Sequence, residues 1–134
     1  MSREALAQVE AAWNDAGQRW DVDALTALYT DDALFFGGRP AHSVGSAQIR
    51  SYFASYEGVI LSATMKLRDQ HIVPLAPGSF LAQGAVDFSF ILDGDQHTTS
   101  ALRTTMLLVE DAGRWKIRQY HFSAMPPAPP LGRS

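Results

Sequence analysis

Past Gly58 the apolar residues of the chain stop recurring every three or four positions and begin to alternate, and this change constrains the fold more than any other feature. Four runs follow: Ile60 to Leu75, Ser79 to Leu92, His97 to Glu110 and Arg114 to Ala124, rich in β-branched and aromatic residues. Their separators are turn chemistry, Pro77-Gly78, Asp93-Gly94 and Asp111-Ala112-Gly113. Connections this short cannot carry a crossover, so consecutive strands are predicted to be antiparallel neighbours in a four-stranded meander. In the run from Phe80 to Leu92 the even positions are apolar or small, while the odd ones include Gln83, Asp87 and Ser89. One face is therefore core, and the other meets water or another subunit.

Upstream of Gly58 the spacing is helical. Leu6, Val9, Trp13, Ala16 and Trp20 lie on one stripe, and Asp21 is placed to cap a short second helix with Leu25, Leu28 and Tyr29 on its apolar side. Asp31-Asp32 is expected to end this helical hairpin, Ala33 to Phe36 to form a short strand stopping at Gly37-Gly38, and Ser46 to cap a third helix carrying Ile49, Tyr52, Phe53 and Tyr56. A sheet with one apolar face needs a cover. The expected architecture is α+β: three N-terminal helices packed in a curved mixed, mainly antiparallel β-sheet, with a cavity at its open end.

The length of 134 residues, 46% of them hydrophobic, suits one domain with one core, here residues 1–125. The remainder, 126–134, continues a stretch with four prolines and is expected to be extended or disordered. A net charge of −3 without a basic run argues against nucleic acid and anionic membranes as partners. The lack of cysteine excludes disulfides and thiolate metal sites. Arg3, Glu4 and Glu10 interrupt what would be a signal peptide, so a cytoplasmic location is expected.

The stretch WKIRQYHFSAMP, Trp115 to Pro126, carries the candidate chemistry. If Trp115 and Ile117 point inward, unbroken alternation puts Gln119, His121 and Ser123 on the same side. On the preceding strand, inward Leu107 and Val109 bring Arg103 and Thr105 to that side, Arg103 opposite His121 and Thr105 opposite Gln119. Such a cluster suits an anionic or carbonyl-bearing ligand, with Arg103 as clamp and His121 as proton donor or acceptor. Trp13, Tyr29, Phe36, Tyr52, Tyr56 and Phe88 are core aromatics that would also wall a pocket, Trp13 first among them. Residues i and i+2 on one strand are poorly placed for His121 to activate Ser123, and no G-x-S-x-G elbow occurs. His42 sits beside Arg39 on a loop overhanging the mouth and reads as solvated. The histidines at 42, 71, 97 and 121 have no metal-ligand spacing, and Asp31-Asp32 and Asp93-x-Asp95 read as turn residues. Neither a metal nor a cofactor is expected.

The segment Trp20-Asp21-x-Asp23-Ala24-Leu25 to Tyr29-x-Asp31-Asp32-Ala33 and the ending Arg103-x-Thr105, Trp115-x-Ile117, His121-x-Ser123 resemble the nuclear transport factor 2-like superfamily. Within it, the closing His-Phe-Ser-Ala-Met-Pro is most similar to SnoaL-like proteins and to bacterial relatives of the calcium/calmodulin-dependent protein kinase II association domain. The resemblance implies a cystatin-like cone, a homodimer through the outer face of the sheet, and a small-molecule ligand inside. In ketosteroid isomerase-like members a catalytic Asp and a carbonyl-polarising Tyr fall, by count, at Gly37 and Ala12, so both groups are missing here. The expectation is a small-molecule binding protein with its pocket polarised by Arg103 and His121. The alternatives are a SnoaL-like acid/base enzyme (isomerase, cyclase, dehydratase or hydrolase) on a carbonyl or polyketide-like substrate, and a non-catalytic oligomerisation domain.

Overall fold

The structure, a computed structural model, describes residues 2–132. Helices α1 (Ser2–Gln18) and α2 (Val22–Thr26) form a hairpin, followed by strands β1 (Tyr29–Phe36) and β2 (Ser43–Val44) and helix α3 (Gly45–Ala54). The second half is the meander β3 (Ile60–Ala76), β4 (Ser79–Leu92), β5 (Gln96–Asp111) and β6 (Arg114–Ala124). The six strands form one sheet in the order β2-β1-β6-β5-β4-β3, antiparallel except where β1 runs parallel to β6. No described helix is long and apolar enough to cross a membrane. The curved mixed sheet wrapped on N-terminal helices is the cystatin-like cone expected.

The turns explain the tightness of the meander. Asp111 pairs with Arg114 across Ala112 and Gly113, which both have positive φ (53° and 81°), the backbone that matches the twist of a two-residue hairpin. The core lies between the helices and the inner face of the sheet. From α1 it takes Leu6, Val9 and Trp13; from the sheet, Met65, Phe80, Val86, Met106, Leu108 and Ile117, all buried. Asp21 caps α2 by accepting from the Ala24 N–H at 3.0 Å.

Two local expectations need correction. Asp31 and Asp32 do not end the helical hairpin: β1 already begins at Tyr29, and both carboxylates project from it into solvent. Asp32 meets Arg118 at 3.3 Å, which gives it a partner across the sheet instead of a turn to stabilise. Nor does Ser46 cap α3, because Gly45 (φ +82°) starts the helix one residue earlier. The Gln48 side chain takes the Val44 N–H at 2.8 Å, and the Ser46 hydroxyl donates to Asp31 at 3.5 Å.

The third correction bears on the site. Strand β6 carries a β-bulge: Leu108 pairs with Ile117, but Leu107 pairs with Gln119, so Arg118 is the extra residue. A one-residue insertion shifts the side-chain alternation by one. Trp115 and Ile117 face inward as expected, Trp115 packing 5.2 Å from Phe80. Beyond the bulge the inward residues are Tyr120 and Phe122, and Gln119, His121 and Ser123 turn to the outer face. On β5 the inward residues are Thr104, Met106 and Leu108, so Arg103 and Thr105 also lie outside. Thr105 stands opposite His121 and Arg103 opposite Ser123, a different register from the one expected.

Candidate functional site

The cone encloses a cavity of about 480 Å³, and its wall is aromatic. Helix α1 supplies Trp13, the turn after it Trp20, β1 Tyr29 and Phe35, α3 Tyr52 and Phe53 with Tyr56 just beyond, β4 Phe88 and Phe90, and β6 Phe122. The rings hold one another in tilted and edge-on contacts: Trp13 with Phe88 at 5.7 Å, Phe88 with Phe122 at 5.1 Å, Phe35 with Tyr52 at 4.7 Å. Such packing makes a stiff, apolar container of the size that takes a small organic molecule.

Besides Tyr56, Ser100, His121 and Ser123, four polar ring tips line it, and they fall into two sets. The Trp20 indole N–H donates to the Phe53 carbonyl at 3.1 Å, and the Tyr52 hydroxyl accepts from the Gly38 N–H at 2.9 Å. These tips are occupied. The indole N–H of Trp13 and the hydroxyl of Tyr29, both buried in the wall, make no well-formed hydrogen bond: the indole N–H is directed at the Tyr29 oxygen, and the Tyr29 O–H has no acceptor. Among the described residues only Gln70 Oε1, elsewhere, shares that condition. Burial pushes the Tyr29 hydroxyl pKa far up, with Tyr120 nearby adding to the rise and the Trp13 indole N–H, directed at its oxygen as a hydrogen-bond donor, opposing it, so the hydroxyl stays protonated. Burial acts likewise on Tyr52 and Tyr120.

The glycine at the position of the missing Asp has a steric reason. A Cβ on Gly37 would come 2.5 Å from the Tyr52 hydroxyl oxygen and 2.6 Å from the Phe35 ring, so Tyr52 fills the space a side chain at 37 would need. No Asp or Glu appears among the described residues lining the cavity. Nor do three described His, Asp or Glu side chains gather as metal ligands would.

Of the residues singled out in the sequence, Trp13, Tyr29, Tyr52, Tyr56 and Phe88 meet in the cavity wall. Phe36 reaches only the rim: it is 40% exposed and lies between the His42 ring, stacked on it at 4.2 Å, and the His121 ring at 5.1 Å. His42 is exposed but not simply solvated, since this stack ties its loop to the sheet. Arg39 lies 4.2 Å over the Tyr56 ring and donates to Ser55. His121 and Ser123 border both the cone mouth and a separate outer concavity, whereas Arg103 and Thr105 line only the latter and Gln119 lines neither. The polar cluster thus exists, but outside the cone. Trp20, Phe35, Phe53 and Phe122 were not anticipated; the apolar pair Tyr120 and Phe122, out of phase with Trp115 and Ile117, was the available signal for the last.

A model of the SnoaL-like domain matches residues 6–128. No curated protein matches the chain significantly. Solved structures that resemble it include a candidate calcium/calmodulin-dependent protein kinase II association domain from Xanthomonas campestris (TM-score 0.84, 21% identity, 96% of this chain and 90% of that one). A candidate scytalone dehydratase from Novosphingobium aromaticivorans superposes with TM-score 0.80 at 11% identity over 99% and 95% of the two chains. A type 2 hexachlorocyclohexane dehydrochlorinase gives 0.72 at 16% identity over 97% and 95%. At these identities the likeness is one of fold, which other neighbours describe as nuclear transport factor 2-like or cystatin-like.

Proposed function

Because the chain belongs to the SnoaL-like domain family, we propose that its cone binds a small, largely apolar ring compound that carries one oxygen acceptor, a ketone or an equivalent carbonyl. The observation that carries this reading is the buried Tyr29 hydroxyl, whose O–H has no acceptor while the Trp13 indole N–H is directed at its oxygen, in a largely apolar cavity. Buried polar groups are nearly always hydrogen-bonded, and one left alone costs about 1–3 kcal/mol. A carbonyl oxygen that accepts from the Tyr29 O–H removes that cost, while the rings cover the rest of the ligand. Two of the structural neighbours are named for acting on small molecules, scytalone and hexachlorocyclohexane, in cones of the same shape.

Binding is favoured over turnover because proton abstraction needs a base inside the cavity, and its described lining carries no carboxylate. An acid/base enzyme is the second reading, supported by the position of His121 on the rim, with Tyr29 polarising the carbonyl and His121 moving the proton. The reading is tested by calorimetric titration with 1-tetralone and with tetralin, which differ only in the carbonyl. The ketone should bind about 3–10-fold more tightly, the worth of one hydrogen bond. Tyr29→Phe should erase most of that preference. Equal affinities for the two compounds in the unaltered protein would refute the assignment of Tyr29 as the donor.

A further inference from the structure

Between the end of β1 and the start of β2 the chain runs along the rim of the cone in six residues, 37–42, that belong to no helix or strand. Gly37 and Gly38 line the cavity, and 38–42 are exposed. We propose that this loop is the gate of the cone, latched by Arg39, and that it sets how fast a small molecule enters and leaves.

The loop is fastened by side chains. Among the described residues, 38–42 make no backbone–backbone hydrogen bond, and the flanking ladder is short, pairing only Leu34 with Val44 and Phe35 with Ser43. One ring stack, His42 on Phe36 at 4.2 Å, holds one end, and the Gly38 N–H donates to the Tyr52 hydroxyl oxygen at 2.9 Å at the other. Arg39 does the rest. Its guanidinium lies 4.2 Å over the Tyr56 ring and donates to the Ser55 hydroxyl at 3.3 Å and the Ser55 carbonyl at 3.2 Å. Ser55 caps the C-terminal end of α3, where a cation is favoured. A segment with so few fastenings and no ladder hydrogen bonds opens at a small fraction of the cost of unfolding the domain.

The latch meets the cavity from behind. The rings of Tyr52 and Tyr56, 5.4 Å apart, line the cavity, and the same two side chains carry the loop. A Cβ at position 38 would come 3.1 Å from the Tyr56 hydroxyl oxygen, so a glycine there lets the backbone lie down on both tyrosines. Arg39 and His42 take no part in the lining. Lifting the loop therefore uncovers the rim and leaves in place the rings that would cover an occupant, with Tyr52 still packed on Phe35 at 4.7 Å.

The inference rests on the cone's taking a small molecule but not on the Tyr29 hydrogen bond, so it is tested with tetralin, which has no oxygen, as well as with 1-tetralone. Trp13 and Trp20 line the cavity, and stopped-flow tryptophan fluorescence reads entry and exit. Arg39→Met should raise the association and dissociation rate constants together, about fivefold, the worth of an exposed cation–π contact with its hydrogen bond, and leave Kd within about twofold. His42→Ala should raise both about threefold, the worth of an aromatic pair. Hydrogen exchange at the Gly38 amide, which needs no ligand, should quicken by the same factors while the buried Met106 amide is unchanged. Unchanged rate constants in Arg39→Met would overturn the gate. So would faster dissociation at constant association, because Arg39 would then be a contact of the ligand. Equal affinities for the two compounds with both rates raised would sink the carbonyl reading and leave the gate standing. If neither compound binds, the carbonyl reading falls and the amide decides alone, an unchanged Gly38 exchange rate refuting the latch.

Discussion

Replacing Tyr29 with Phe should stabilise the ligand-free protein. The Tyr29 side chain is 2% exposed, and its ring packs against Phe35 and Phe53 at 5.6 and 5.8 Å, contacts that Phe keeps. The hydroxyl alone is lost; the Trp13 indole N–H is directed at its oxygen without forming a good hydrogen bond, and its O–H has no acceptor. Leaving a hydroxyl buried and unpaired costs about 1–3 kcal/mol; at the low end, to allow for the small void left behind, the variant gains about 1 kcal/mol. With an unfolding entropy of about 2.1 cal/mol/K per residue, a chain of 134 residues has about 0.28 kcal/mol/K at its midpoint, so Tm should rise by about 3–4 °C. Differential scanning calorimetry at neutral pH reads this directly. Saturating ketone should then narrow or reverse the order, because ligand at a hundred times its Kd adds about 2.7 kcal/mol and the unaltered protein binds it more tightly. A ligand-free variant that melts below the unaltered protein would show that the hydroxyl already has a partner, and the argument for a waiting acceptor site would fail.

Two further outcomes follow from the same packing. Burial raises the pKa of Tyr29, Tyr52 and Tyr120 above the value of about 10 for an unfolded tyrosine, so the stability they contribute is intact below about pH 10 and lost as pH rises beyond it. In an alkaline titration their tyrosinate absorbance should appear together with the loss of near-ultraviolet circular dichroism; its appearance while the fold is intact would contradict the burial. Gly84→Ala should destabilise by about 1–3 kcal/mol, because the added Cβ would lie 2.5 Å from the Asp69 carbonyl oxygen and 2.9 Å from that of Arg68, backbone atoms that cannot step aside. Denaturant unfolding measures this, and a change below about 0.5 kcal/mol would mean that the β3 bulge between Arg68 and His71 yields.

The fold was legible because its signals are local and mutually consistent. Ser79–Leu92 and Arg114–Ala124 coincide with the strands anticipated, since Pro77-Gly78, Gly94 and Gly113 all take the positive-φ or proline backbone that hairpins require. The aromatic wall was legible for a related reason: residues at helical and alternating spacings on facing elements had to meet. What was not legible was phase. On β5 both faces carry apolar residues, Met106 and Leu108 inside and Leu107 and Val109 outside, so alternation alone could not choose between them. On β6 the bulge changes the parity in mid-strand, and a strand read with one parity from Trp115 to Ser123 sends His121 the wrong way. Asp31-Asp32 misled similarly: the pair reads as a turn, yet both residues lie in β1, where the parallel β1–β6 pairing brings Arg118 alongside Asp32.

The end of β6 has a practical side. Ser123 and Ala124 border the cone, and the described residues after them, through 132, are exposed and form neither helix nor strand. The chain therefore leaves the domain from the doorway of the cavity, whereas the start of α1 is anchored elsewhere, where Arg3 donates to the Gln70 carbonyl. A sensor surface or bead attached through the C-terminal side would crowd the opening through which the proposed ligand would pass. Attachment ahead of α1 leaves it clear, and a fluorophore placed at Met125 would stand as a sentinel beside whatever enters.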